Sequence, residues 1–146
     1  MSVVVLDTNI VLDLFVFADE ASQPLHRALA LGPEQGGLHW LATLPMRDEL
    51  ARVLDYPQIA PRLAFYALDA AGVLARFDAR VRLVAVPAKA PVTCADADDQ
   101  KFIDLAVVHG ALLLSKDKDV LSMRKRLSVH GVRAQSAIDL VAQEIL

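Results

Sequence analysis

The chain has 146 residues, a net charge of −3 and a single cysteine. That length suits one domain with a sizeable core, and a lone Cys94 excludes an internal disulfide and fits a reducing cytoplasm. No apolar run approaches the ~18–20 residues that span a bilayer, and a pI near 5.7 excludes a generic basic coat for nucleic acid. The apolar start carries Asp7 and Asp13 without a basic leader, so no signal peptide is expected. The 55% hydrophobic content and mean hydropathy of +0.38 are high for a soluble chain, and point to a face covered by a partner or a second copy.

Val3–Leu6 is all apolar, as a strand buried on both faces requires. A helix is predicted from Asn9 to Phe17, and a second from Ser22 and Pro24 to Gly32 and Pro33. Leu38–Ala42 is the next strand, and Thr43 caps a helix running through Leu54. Pro61 opens a longer helical stretch to about Ala79, with Gly72 a weak point inside it. Arg82–Val86 is the third strand, closed by Pro87. A polar loop then leads to a helix from Asp98 or Asp99 to His109, ended by Gly110. Ala111–Ser115 is a near-pure apolar strand, followed by a short basic helix over Val120–Leu127. A last strand, Val132–Gln135, precedes a closing helix, Ala137–Leu146, capped by Ser136. No internal repeat or dividing linker interrupts the series, so residues 1–146 form one domain. Strands alternating with helices predict an α/β fold, a mainly parallel central sheet covered on both faces.

Ligands of such sheets bind at the carboxyl edge of the strands. Asp7 and Asp117 lie just past the ends of two apolar strands, which directs attention to that edge. Asp7 is also placed to cap the following helix, although Thr8 or Asn9 could serve instead. Glu49 falls beside the apolar face of its helix, whereas Asp48 points away. Asp99 precedes Phe102, Ile103 and Ala106 by three, four and seven residues, which aims it inward and favours it over Asp98. Asp96 and Asp104 read as loop and solvent-facing acids. Asp119 lies close enough to Asp117 to assist it or to cap the basic helix. Carboxylates converging on one edge repel one another unless a cation or shared protons lie between them. Thr8, Asn9 and Ser115 have the hydroxyls and amide that orient such carboxylates. The four histidines have no ligand spacing and Cys94 no partner ligand, which argues against zinc. Neither a Gly-rich phosphate loop nor a serine nucleophile elbow is present. Five of the fifteen Lys and Arg residues fall within 116–126, as either a local basic patch or a solvated helix face.

Several segments together resemble the PIN-domain nucleases: the strand ending Asp7-Thr8-Asn9, Glu49-Leu50 with Val53-Leu54, Asp98-Asp99-Gln100-Lys101-Phe102 before Ala106, and Leu114-Ser115-Lys116-Asp117-Lys118-Asp119. Each motif is short; their order along essentially the whole chain carries the likeness. The resemblance implies a three-layer α/β/α PIN-like fold. It also implies a metal-dependent endoribonuclease with Mg²⁺ or Mn²⁺ held by Asp7, Glu49, Asp99 and Asp117. Many bacterial members similar to it are toxin components (VapC-like) of toxin–antitoxin pairs, blocked by a small antitoxin protein. Ser115 stands where the family often has Thr, and keeps the hydroxyl.

On this reading Asp7 and Asp99 are the direct metal ligands, and Asp117 and Glu49 hold a second ion or act through water. Lys116 or Lys118 holds a flanking phosphate of the RNA. The alternative is a catalytically inert PIN-like module that holds RNA or protein. An aspartyl-phosphate phosphatase is disfavoured because Asn9 stands where that chemistry wants a second Asp. A receiver domain is disfavoured because the third strand runs into Pro87. Val11, Leu12, Phe15 and Val16 add apolar sides to the first helix beyond its core face, which predicts a homodimer or antitoxin docking there.

Overall fold

The computed structural model describes residues 2–17, 20–31 and 35–137. Five strands, β1 (Ser2–Leu6), β2 (Leu38–Ala42), β3 (Arg82–Leu83), β4 (Leu112–Leu114) and β5 (Arg133–Gln135), form one sheet in the order β3-β2-β1-β4-β5. Every pairing is parallel. The α/β class with a parallel sheet flanked by helices is therefore as expected. The central strands are apolar because both their faces are covered: Val4, Val5, Leu6, Leu113 and Leu114 are all buried.

The eight helices of the described residues are α1 (Thr8–Phe15), α2 (Gln23–Ala30), α3 (Leu44–Leu54), α4 (Ala60–Phe65), α5 (Ala70–Arg80), α6 (Gln100–His109), α7 (Lys118–Leu121) and α8 (Arg124–Val129). Gly110 takes the left-handed conformation (φ 59°) that ends α6 and turns the chain into β4. The connections leave β1 toward β2 and β3 on one side, and continue as β4 and β5 on the other. Strand order thus reverses between β1 and β4, and the crevice of such a sheet lies outside the carboxyl ends of those two strands.

Four expectations change. The stretch over 61–79 is two helices, broken not at Gly72 but at Ala67 (φ 57°). The second of them, α5, starts at Asp69, whose carboxylate accepts from the Gly72 N–H at 2.6 Å. The third strand is only Arg82–Leu83, an exposed edge, with Val84 adding one further bond to Ala42. The basic segment is divided into α7 and α8, and Asp117, not Asp119, occupies the cap position of α7. Finally, Val11, Leu12, Phe15 and Val16 are all buried within the chain's own core. Phe15 lies against Trp40, His26 and the Arg76 guanidinium. The apolar surplus of α1 is internal, and no longer argues for a dimer or an antitoxin at that helix. The Gly32–Pro33 helix end and, beyond Ala137, the closing helix lie outside the described residues.

Candidate metal centre

Asp7 follows β1 and keeps its backbone in the ladder, its N–H donating to the Leu114 carbonyl at 2.9 Å. It occupies the cap position of α1 without capping it. Its buried carboxylate, 5% exposed, accepts from the Ser115 hydroxyl at 2.5 Å. Ser115, one residue past β4 and itself fully buried, accepts in turn from the Asp117 N–H at 3.0 Å. One hydroxyl therefore positions acids from the two strands that flank the switch point. Asp117 closes its own turn, its Oδ1 accepting from the Asp119 N–H at 2.8 Å.

The third contribution comes from the start of α6. Asp96 caps a short 3₁₀ turn, Ala97–Asp99, by accepting from the Asp98 N–H at 2.9 Å. The turn brings Asp99 inward, 8% exposed, and leaves Asp98 in solvent. Ligand oxygens of Asp96, Asp99 and Asp117 all lie within 4.8 Å of one another. The Asp99 Oδ2 is buried without a hydrogen-bond partner.

These environments raise the acids' pKa values. Burial pushes Asp7 up first, and the charges of Glu49 and Asp117 add to it against the opposing Ser115 hydrogen bond. Asp99 is pushed up to about 8: by burial foremost, then by the neighbouring Asp117 carboxyl as a hydrogen-bonding partner that favours the protonated form, then by the charges of Asp7, Asp117 and Asp96. Burial likewise raises the Cys94 thiol, with Asp99, Asp119 and Asp117 nearby. Its Sγ donates to the Asp119 carbonyl at 3.7 Å.

Glu49 sits apart from the trio. Thr8, at the first position of α1, donates its hydroxyl to Glu49 Oε2, and Lys101 Nζ donates to Oε1 at 2.6 Å. Lys101 also donates to the Asp98 carbonyl. Asp48 is exposed. Asn9 Oδ1 is buried without a partner. Lys116 is ion-paired with Asp13 on α1, and Lys118 opens α7 in solvent. Asp104, read as solvent-facing, is half-buried and accepts from the Ala90 N–H and the Gln100 amide, both at 2.8 Å. Asp96 is the residue that sequence reading placed outside the site. Its signal was the Asp-x-x-Asp spacing across a turn, which sets two carboxylates side by side where the first caps and the second begins the helix.

The donor set fits a hard divalent cation. All three carboxylates offer oxygen, and an ion 2.0–2.6 Å from each donor accommodates donors up to ~4–5 Å apart. The unpartnered Asp99 oxygen is a ready ligand atom, and no Lys or Arg is ion-paired with any of the three among the described residues.

The acid cluster thus sits where a parallel α/β sheet binds its ligands, at the switch point of the carboxyl edge, and its oxygens suit a divalent cation. The chain matches the family model described as PIN domain over residues 3–119, and belongs to that family. No curated protein matches it. PIN domains are generally metal-dependent nucleases, and the acidic cluster fits such a metal site. No helix of the described residues is long and apolar enough to cross a membrane.

Proposed function

We propose that this protein is an Mg²⁺- or Mn²⁺-dependent endoribonuclease that hydrolyses RNA phosphodiester bonds. The observation that carries this reading is the approach of Asp96, Asp99 and Asp117, whose ligand oxygens lie within 4.8 Å of one another, with one buried Asp99 oxygen lacking a hydrogen-bond partner. Asp96, Asp99 and Asp117 would hold the ion, with Asp7 beside them. Once bound, the ion lowers the pKa of water and clamps a phosphate oxygen. An all-oxygen donor set favours Mg²⁺ or Mn²⁺ over softer metals.

The chain's own residues set the stage for that chemistry. Ser115 fixes both the Asp7 carboxylate and the Asp117 backbone, so each acid presents a defined oxygen. Thr8 and Lys101 hold Glu49 at the rim, where it supports a second ion or a bound water. Lys116 and Lys118 flank the edge from the β4 side, where a neighbouring RNA phosphate passes.

We infer further that the chain is the toxin of a toxin–antitoxin pair and acts in the cytoplasm, a reading supported by the family resemblance alone. Growth arrest on induction, relieved by co-expressing a small protein encoded beside it, is the outcome that reading requires. For the nuclease itself, the experiment is Mn²⁺ calorimetry joined to RNA cleavage, comparing wild type with Asp7→Asn and Asp99→Asn. Loss of both metal binding and cleavage in Asp99→Asn is expected. Cleavage at the wild-type rate in both variants would sink the proposal.

A further inference from the structure

The basic residues are not spread evenly. Positions 120–137 contain Arg124, Lys125, Arg126 and Arg133 and no Asp or Glu, in a chain whose net charge is −3. Elsewhere, Arg47 pairs with Asp78, Lys101 with Glu49 and Lys116 with Asp13. None of the four cations in positions 120–137 is ion-paired among the described residues.

Arg124, Ser128 and Arg133, with the backbone of Gly131–Gln135, line a cavity of about 460 Å³ at the β5 edge of the sheet. Arg124 is held there by its Nε, which donates to the Ala134 carbonyl at 3.0 Å, and among the described residues the two terminal nitrogens of the guanidinium have no acceptor. The exposed Ser128 hydroxyl donates its proton to the Lys125 carbonyl at 2.7 Å, so that donor is already engaged and the guanidinium groups are the donors left for an anion. Two guanidinium groups around one cavity, with no carboxylate ion-paired to either among the described residues, are the planar multi-donor arrangement that suits phosphate oxygens.

The cavity is also joined to the metal centre. Gln135, at its margin, accepts from the Ser115 N–H at 3.0 Å, and Ser115 carries Asp7 on its hydroxyl. The two places are separated by β4 and β5, and adjacent strands lie ~4.8 Å apart. We propose that the Arg124–Arg133 cavity is a phosphate subsite for the backbone of the RNA, holding a phosphodiester away from the one that is cut. The inference rests on the nuclease reading above, and concerns where the strand lies beyond the metal.

Fluorescence anisotropy of a labelled single-stranded RNA of mixed sequence, titrated with the full chain in EDTA at several salt concentrations, tests it. Arg133→Ala, whose side chain makes no hydrogen bond or ion pair among the described residues, should weaken binding several-fold. It should also reduce the slope of log K against log salt by about 0.7, the value of one phosphate contact on a single strand. Adding Arg124→Ala should take the reduction to about 1.4; if that variant fails to fold, Arg133→Ala decides alone. Lys125→Ala removes the same charge from outside the cavity and is the control. Equal losses from Lys125→Ala and Arg133→Ala would mean a diffuse basic face and overturn the subsite. So would Arg133→Ala binding with wild-type affinity and slope, which leaves the nuclease reading intact provided Mn²⁺ binding and RNA cleavage persist. Wild type that binds no RNA at low salt also overturns the subsite, and wild type that neither binds Mn²⁺ nor cleaves RNA overturns the nuclease reading separately.

Discussion

The acids at the carboxyl edge fall into two regions that share a sign of charge and differ in how it is balanced. On one side, Asp96, Asp99 and Asp117 crowd together with no ion-paired cation among the described residues, and one buried oxygen of Asp99 has no partner at all. On the other, Glu49 is bonded through both carboxylate oxygens, to Thr8 and to Lys101. Burial without compensation raises a carboxyl pKa, as at Asp99, because the charged form loses water and gains only repulsion. The first region is therefore built to receive positive charge from outside, and the second already has it. Asp7 lies between them, held by a neutral hydroxyl and raised by burial.

The sharpest way to break this contrast is to remove the unpaired charge. Asp99→Asn should weaken Mn²⁺ binding by at least ~100-fold by calorimetry, since a neutral amide replaces a ligand in a set of three; loss of even a group that hydrogen-bonds to a ligand costs roughly 10–100-fold. An affinity within threefold of wild type would show that the trio is not the binding site.

The same charge governs stability. Asp99 has a folded pKa of about 8 against an ordinary 3.8, so between those values the folded state binds more protons than the unfolded one. Stability is then full below about pH 4 and falls as pH rises toward 8. Asp7, also raised, acts in the same sense. In EDTA, Asp99→Asn should remove most of that fall and be more stable than wild type at pH 8 by at least ~1 kcal/mol, the worth of roughly one pKa unit. That is a rise in Tm of about 2–4 °C for a chain of this size. Thermal melts at pH 5 and pH 8 read the difference directly. Parallel pH profiles for the two proteins would contradict the uncompensated burial of Asp99.

A smaller effect separates two acids that the sequence sets two residues apart. Asp96→Asn should weaken Mn²⁺ binding about tenfold, whereas Asp98→Asn, exposed to solvent, should change it less than twofold. Equal effects from the two would mean that the surface charge of the turn, not its geometry, attracts the ion.

How far these positions were legible in the sequence depends on what kind of signal each leaves. Helix spacing was enough to choose Asp99 over Asp98, because Phe102, Ile103 and Ala106 define the buried face to which Asp99 belongs. The same rule is silent on Asp96, which precedes the helix and takes its direction from a capping turn. Val3–Leu6 and Ala111–Ser115 read clearly because central parallel strands must be apolar on both faces. Arg82–Leu83 leaves almost no trace: it is two exposed residues at an edge, and its strand character comes from β2. The break before α5 was hidden for a different reason. Ala67 takes a positive φ that normally calls for Gly or Asn, and the Leu68 N–H reaching back to the Leu63 carbonyl at 2.8 Å closes that turn. The readable sign lay beyond it, in Asp69 capping the N–H three residues on. The apolar surplus of α1 misled in the opposite direction, because a helix enclosed on nearly all sides looks from its sequence like one with a spare face.

The smallest expected effect falls on the compensated side. Glu49→Gln keeps an oxygen for the Thr8 hydroxyl and removes the charge that Lys101 answers. Lys101 is only partly buried, its side chain 25% exposed, and retains the Asp98 carbonyl. The cost in stability should therefore be that of a partly solvated ion pair, about 0.5–1 kcal/mol, and affinity for the first Mn²⁺ should change less than threefold. Calorimetry and a denaturant melt on the same preparation check both numbers. If Glu49→Gln instead weakened the first Mn²⁺ as severely as Asp99→Asn, the two regions would be one site, and Lys101 would have to leave Glu49 when metal arrives. If metal binding held but cleavage collapsed, Glu49 would act at a second ion or a water, after the first site is filled.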